Sequence, residues 1–151
     1  MTKPVSQREF ELLDRLDEAQ IVAELKGELL KEYVYGFKRG DELVVSLTYA
    51  GVKEAIRRVA EQLGGIQVSE PKIQIEKDYI FVYCSATLPR LNLTLWAGAQ
   101  QARRLPDGRE DPFALAKAIS KAQRNALRQL LPEPIIQALI NVWMAKNKVK
   151  L

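Results

Sequence analysis

Four cations, Lys117, Lys121, Arg124 and Arg128, recur at spacings of four, three and four within "DPFALAKAISKAQRNALRQLLPEP", residues 111–134, with no acid between them. A helix advances about 100° per residue. With Lys117 at zero, Lys121 falls near +40°, Arg124 near −20° and Arg128 near +20°, all within roughly 60° of arc. Leu115, Ile119, Ala122, Ala126 and Leu130 gather on the opposite side, the face expected to meet a core. Like charges at i,i+4 repel, and solvated helix faces usually mix signs. From Lys117 to Arg128 is about 16 Å of axis, a length suited to tracking several phosphates. The alternatives are a solvated face, or a face paired with acids from another element.

Other residues carry weaker signals. Arg103, Arg104 and Arg109 flank the "LPDG" turn, either extending the basic surface or serving as loop charges. Lys53, Arg57 and Arg58 stand among Glu54 and Glu61 and read as an internally paired face. Trp96 and Trp143 continue apolar periods and are expected in the core. Glu70-Pro71-Lys72 has the bare Glu-x-Lys of some metal-dependent nucleases, without an upstream Asp in a strand. No Gly-rich Walker loop and no His/Cys metal cluster is present. The expectation is therefore no catalytic site, no metal and no cofactor: not an enzyme.

Composition bounds the rest. The 151 residues contain no His and one cysteine, Cys84, so no internal disulfide forms. No apolar run is long enough to span a membrane, and the first residues lack a secretory signal. The expected location is cytoplasmic. The net charge of +4 is uneven: residues 1–32 hold 5 Lys/Arg against 8 Asp/Glu, and residues 33–151 hold 18 against 11. A basic domain suits a polyanion.

The elements that must position these residues follow from periodicity. Residues 1–32 read as an acidic helical segment with a capping-box spacing at Ser6 and Glu9. "YVYGFKRGDELVVSLTY" reads as a hairpin turning at Lys38-Arg39-Gly40-Asp41. "AGVKEAIRRVAEQLGG" is a short helix stopped by Gly64-Gly65. "IQVSEPKIQIEKD" is a strand with Pro71 at a bulge or edge. "YIFVYCSATL" and "LNLTLWAGAQQARRL" are further strands, the last losing definition after Trp96. Two helices close the chain. Grouped strands predict an α+β fold with a mostly antiparallel sheet, in the order α-β-β-α-β-β-β-α-α, packed on the basic helix. One domain is expected, with a core over 33–131 and a C-terminal helix and basic tail over 132–151.

This order resembles that of the single-strand annealing recombination proteins, the RAD fifty-two family and its phage and bacterial DNA-damage-response relatives. "DPFALAKAISKAQRNALRQLLPE" looks like their signature helix, and "LTYAGVKEAIRRVAEQLGG" like their strand-to-helix segment. The resemblance covers roughly residues 43–131. It implies a homo-oligomer, a ring or helical filament, with single-stranded DNA in a basic groove, backbone inward and bases free. Arg124 and Arg128 match the cations that hold the backbone, and Lys117 and Lys121 extend them. Tyr49 falls near an aromatic at the groove. "KEYVYGFKRGDE" stands where that family has a Gly-rich stretch, which makes Lys38 and Arg39 candidates for the second groove wall.

The expected function is ATP-independent annealing of complementary single strands in recombination and repair, with room for a recombinase or exonuclease partner. A double-stranded RNA- or DNA-binding module is one alternative. The other is an oligomerising interaction protein whose acidic N-terminal helix docks on a neighbour's basic stripe.

Overall fold

The computed structural model describes residues 15, 18, 19, 21–23, 25, 26, 33–39, 41–146, 149 and 150. The fold is α+β. The described residues between 15 and 25 are helical, and Ile21 among them is buried. Ser6 and Glu9 lie outside the described residues.

β1 (Val34–Arg39) and β2 (Glu42–Leu47) form an antiparallel hairpin. Arg39 pairs with Glu42. Lys38 and Arg39 thus end the strand, and the turn is two residues shorter than the sequence suggested. Val149 and Lys150 add a short parallel strand, β7, beside β1, inside the tail that the sequence left without an element.

α1 (Tyr49–Leu63) starts at Thr48, whose hydroxyl accepts from the Gly51 amide at 2.9 Å. It stops at Gly64, whose φ of 78° favours glycine. Tyr49 therefore opens a helix and does not close a strand. Gly51 is fixed by close approach: a Cβ there would stand 2.1 Å from the Tyr33 carbonyl oxygen.

The second sheet holds β3 (Gln67–Val68), β4 (Lys72–Ile75), β5 (Tyr79–Leu88) and β6 (Leu93–Ala102), all antiparallel. β5 is central. β6 flanks it along ten paired residues, from Tyr79↔Ala102 to Leu88↔Leu93. β3 and β4 share its other side, and their registers differ by one residue across Ser69-Glu70-Pro71. That is the bulge expected at Pro71: Ser69 Oγ accepts from the Ser85 amide there, at 2.8 Å.

α2 (Ala114–Arg128) lies across β5 and β6. Ala114, Ala118, Ala122 and Ala126, one every four residues, are all buried and let the helix lie close to Ile80, Val82, Cys84 and Ala86. Asp111 Oδ1 accepts from the Phe113 amide at 2.9 Å, so the chain makes one turn before the helix begins at Ala114. α3 (Glu133–Ala145) takes Pro134 in its first turn and buries Trp143 completely against Tyr33, with ring centroids 4.9 Å apart. Among the described residues, no helix is long and apolar enough to cross a membrane.

Candidate nucleic-acid interface

The cation stripe does not stand free as a unit. Lys117 and Lys121 are buried, with side chains 8% and 6% exposed. Lys117 Nζ donates to Asp111 Oδ2 at 2.6 Å and lies 3.6 Å from Glu18 Oε2. Lys121 Nζ donates to Glu18 Oε1 at 2.8 Å. This corrects the expectation of four unpaired cations. It matches instead the alternative of a face paired with acids from outside the helix: Glu18 comes from the acidic segment of the same chain, and Asp111 from the turn before α2. The buried arc runs from Lys117 through the alanines to Ala126, roughly 90° from the face the large apolar residues marked. Leu115 is left 39% exposed. The cause is packing distance: methyl side chains seat the helix, and lysine stems then run along the interface to acids at its rim.

Glu18 is the hub. Its Oε1 also accepts from Gln101 Nε2 on β6 at 3.1 Å. Burial pushes the carboxyl up. The Lys121 hydrogen bond and charge, the Gln101 amide and the Lys117 charge together outweigh burial, and the carboxyl lies below its usual range. Beside it opens a cleft of about 470 Å³ lined by Arg15, Glu18, Lys26 and Lys117.

The other predicted cations have local partners. The Arg124 guanidinium donates to Asn125 Oδ1, whose own amide donates to the Gly98 carbonyl. Arg128 meets Glu133 at 3.4 Å and its side chain remains 41% exposed. Arg103 donates to the Glu76 and Lys77 carbonyls, Arg104 to the Gly108 carbonyl and Arg109 to Asp107, so these are loop-fastening charges. Arg57 and Arg58 pair with Glu54 as expected. Tyr49 donates to Gln123 Oε1 at 3.0 Å, with Lys53 Nζ 4.6 Å from its ring centroid, which places it at the crossing of α1 and α2. The side chains of Lys38 and Arg39 lie outside the described residues.

The structure assembles a different surface. One face of the second sheet is packed by α2: Ile80, Val82, Cys84, Ala86 and Leu88 are all buried. The opposite face, where residues alternate out, carries Tyr79, Phe81, Tyr83, Ser85 and Thr87 on β5. Register adds Thr94, Trp96, Gly98, Gln100 and Ala102 from β6, and Lys72 and Gln74 from β4. No Leu, Ile or Val stands in this set. Tyr79 is 44%, Tyr83 47% and Trp96 52% exposed. The Tyr83 ring lies over Gly98, where a Cβ would meet Cδ1 at 2.8 Å and Cε1 at 3.0 Å. Lys72 Nζ reaches across β5 to within 5.0 Å of the Trp96 centroid. The result is an exposed sheet face of aromatic rings with a cation and amides among them. Trp96 was expected in the core. In "LNLTLWA" the period of two that puts Leu93 and Leu95 on the packed face goes on to Ala97, so Trp96, although next to Leu95 in an apolar run, falls on the open face.

Compared with family models, curated proteins and solved structures, the chain matches none.

Proposed function

We propose that the protein binds single-stranded DNA and promotes annealing of complementary strands without nucleotide hydrolysis. The observation that carries this is the open sheet face, with Tyr79, Tyr83 and Trp96 exposed and Lys72 held over the indole. Rings lying on a sheet stack against bases, and bases inside a duplex already have both faces covered. Such a platform therefore favours unpaired strands. Stacking uses the base faces and leaves the pairing edges free, and Lys72 offsets phosphate charge between strands. The resemblance of residues 111–132 to annealing proteins supports the same reading.

Self-association supplies the many sites that annealing needs. Val68, Ile73 and Ile75 are 42%, 44% and 58% exposed on edge strands that pair only with β5 among the described residues. That is the surface we assign to a second copy of the chain.

The test compares a labelled oligothymidylate with a duplex of equal length, and then follows pairing of complementary oligonucleotides without ATP. Binding to single strands should be tighter, and pairing faster with protein than without. Equal affinity for duplex, or no acceleration of pairing, overturns the proposal.

A further inference from the structure

Two ammonium groups and one amide, from two elements, gather around one carboxylate. Lys121 Nζ and Lys117 Nζ come from α2, the second lying 3.6 Å away and hydrogen-bonded to Asp111, and Gln101 Nε2 comes from β6. Both elements are fixed by packing that does not involve Glu18: Ala118 and Ala122 are fully buried, and β6 pairs with β5 over ten residues. The backbone positions that bear these three side chains are therefore held whether or not the carboxylate is present. Glu18 belongs to the acidic segment, residues 1–32, with 8 acids against 5 bases. Cations and an amide converging on an oxyanion make a phosphate site as readily as a carboxylate site. The adjoining cleft brings Arg15 and Lys26 to the same mouth, which draws polyanions to this point.

We propose that Lys117, Lys121 and Gln101 form a phosphate site that Glu18 occupies from within, so that the N-terminal segment competes with nucleic-acid phosphate and restrains binding along α2. The identity of the phosphate's owner rests on the single-stranded DNA reading; the site itself rests on the three donors. β6 links the two surfaces, with Trp96 on its open face and Gln101 on its packed face. A strand passing round that edge reaches both. Entry of a phosphate releases Glu18 and frees the segment that carries it.

The decisive experiment follows amide hydrogen exchange of the helical residues between 18 and 25 in the unaltered protein, alone and saturated with oligothymidylate or inorganic polyphosphate. Both should speed exchange there, on the order of tenfold, as the segment opens. Unchanged or slower exchange with both overturns the proposal. Release by DNA and not by polyphosphate overturns the phosphate assignment. Release by polyphosphate with no DNA binding overturns the single-strand reading and leaves the site standing. Glu18→Gln gives a second measure. Oligothymidylate should bind several-fold tighter, with a log–log salt slope steeper by about 0.7, one contact at Lys121, because Lys117 keeps its hydrogen bond to Asp111. Adding Lys121→Gln should remove most of that gain. A folded Glu18→Gln protein with wild-type affinity and slope overturns the proposal.

Discussion

The ring of Tyr83 lies over Gly98 on the neighbouring strand, close enough that a methyl group at Gly98 would stand 2.8 Å from its Cδ1. The missing side chain on β6 lets the tyrosine lie down and present its outer face. Gly98→Ala should tip that ring without touching the core, since position 98 projects on the open side. Oligothymidylate affinity should fall by up to one stacked base, about 1–3 kcal/mol, with little change in thermal midpoint. Fluorescence anisotropy of the oligonucleotide, beside calorimetry of the free protein, measures both.

Trp96→Ala and Lys72→Gln should fail differently. Loss of the indole removes stacking and should cost about 1–3 kcal/mol of affinity at every salt concentration. Loss of the ammonium removes one phosphate contact and should flatten the log–log salt slope by about 0.7. A salt titration of both variants separates the two contributions.

Lys121 and Arg128 look equivalent in the stripe and should not behave so. Lys121→Glu puts a second carboxylate beside Glu18 at a buried site. Breaking a buried pair costs about 3–5 kcal/mol, so the fold should lose a large part of its stability. Arg128→Glu alters a side chain that is 41% exposed and should cost under about 0.5 kcal/mol. Urea denaturation of the two single variants checks this.

Stability should depend on pH through Glu18. Lys121, Lys117 and Gln101 face its carboxylate, Arg15 and Lys26 line the same cleft, and Asp111 shares Lys117. Its folded pKa is lowered, so its contribution is full above the unfolded carboxylate value of about 4.3. That contribution is lost as pH falls through the lower, folded value. Glu18→Gln should flatten the acid limb of a stability–pH curve measured by urea unfolding, and leave its neutral-to-basic limb parallel to wild type.

The exposed isoleucines should govern assembly. Ile73→Lys combined with Ile75→Lys should lower the native mass at micromolar concentration while the far-ultraviolet circular dichroism stays unchanged. A wild-type protein that is already monomeric, with and without oligonucleotide, removes the proposed role of this edge.

Much of the fold is legible in local pattern. The hairpin, α1 with its Gly64 stop, β5 and the two last helices follow from period and capping. β6 fades after Trp96 because "AGAQQA" is small or polar on both faces. Ala97 and Ala99 are half-buried against the core, and no hydrophobic contrast records that. The site was legible only in part. The stripe is real as sequence, but Glu18 lies 103 residues from Lys121 and nothing local announces their meeting. The aromatic platform needed register: Tyr83, Gly98 and Lys72 become neighbours only once three strands are aligned.

The two tryptophans occupy opposite extremes of environment, Trp143 fully enclosed and Trp96 half exposed beside a lysine. The protein thus carries two intrinsic fluorophores that divide the work. Iodide should quench the red-shifted emission of Trp96 and spare the blue-shifted emission of Trp143. Surface occupancy and unfolding can then be followed in one unlabelled sample, each on its own part of the spectrum.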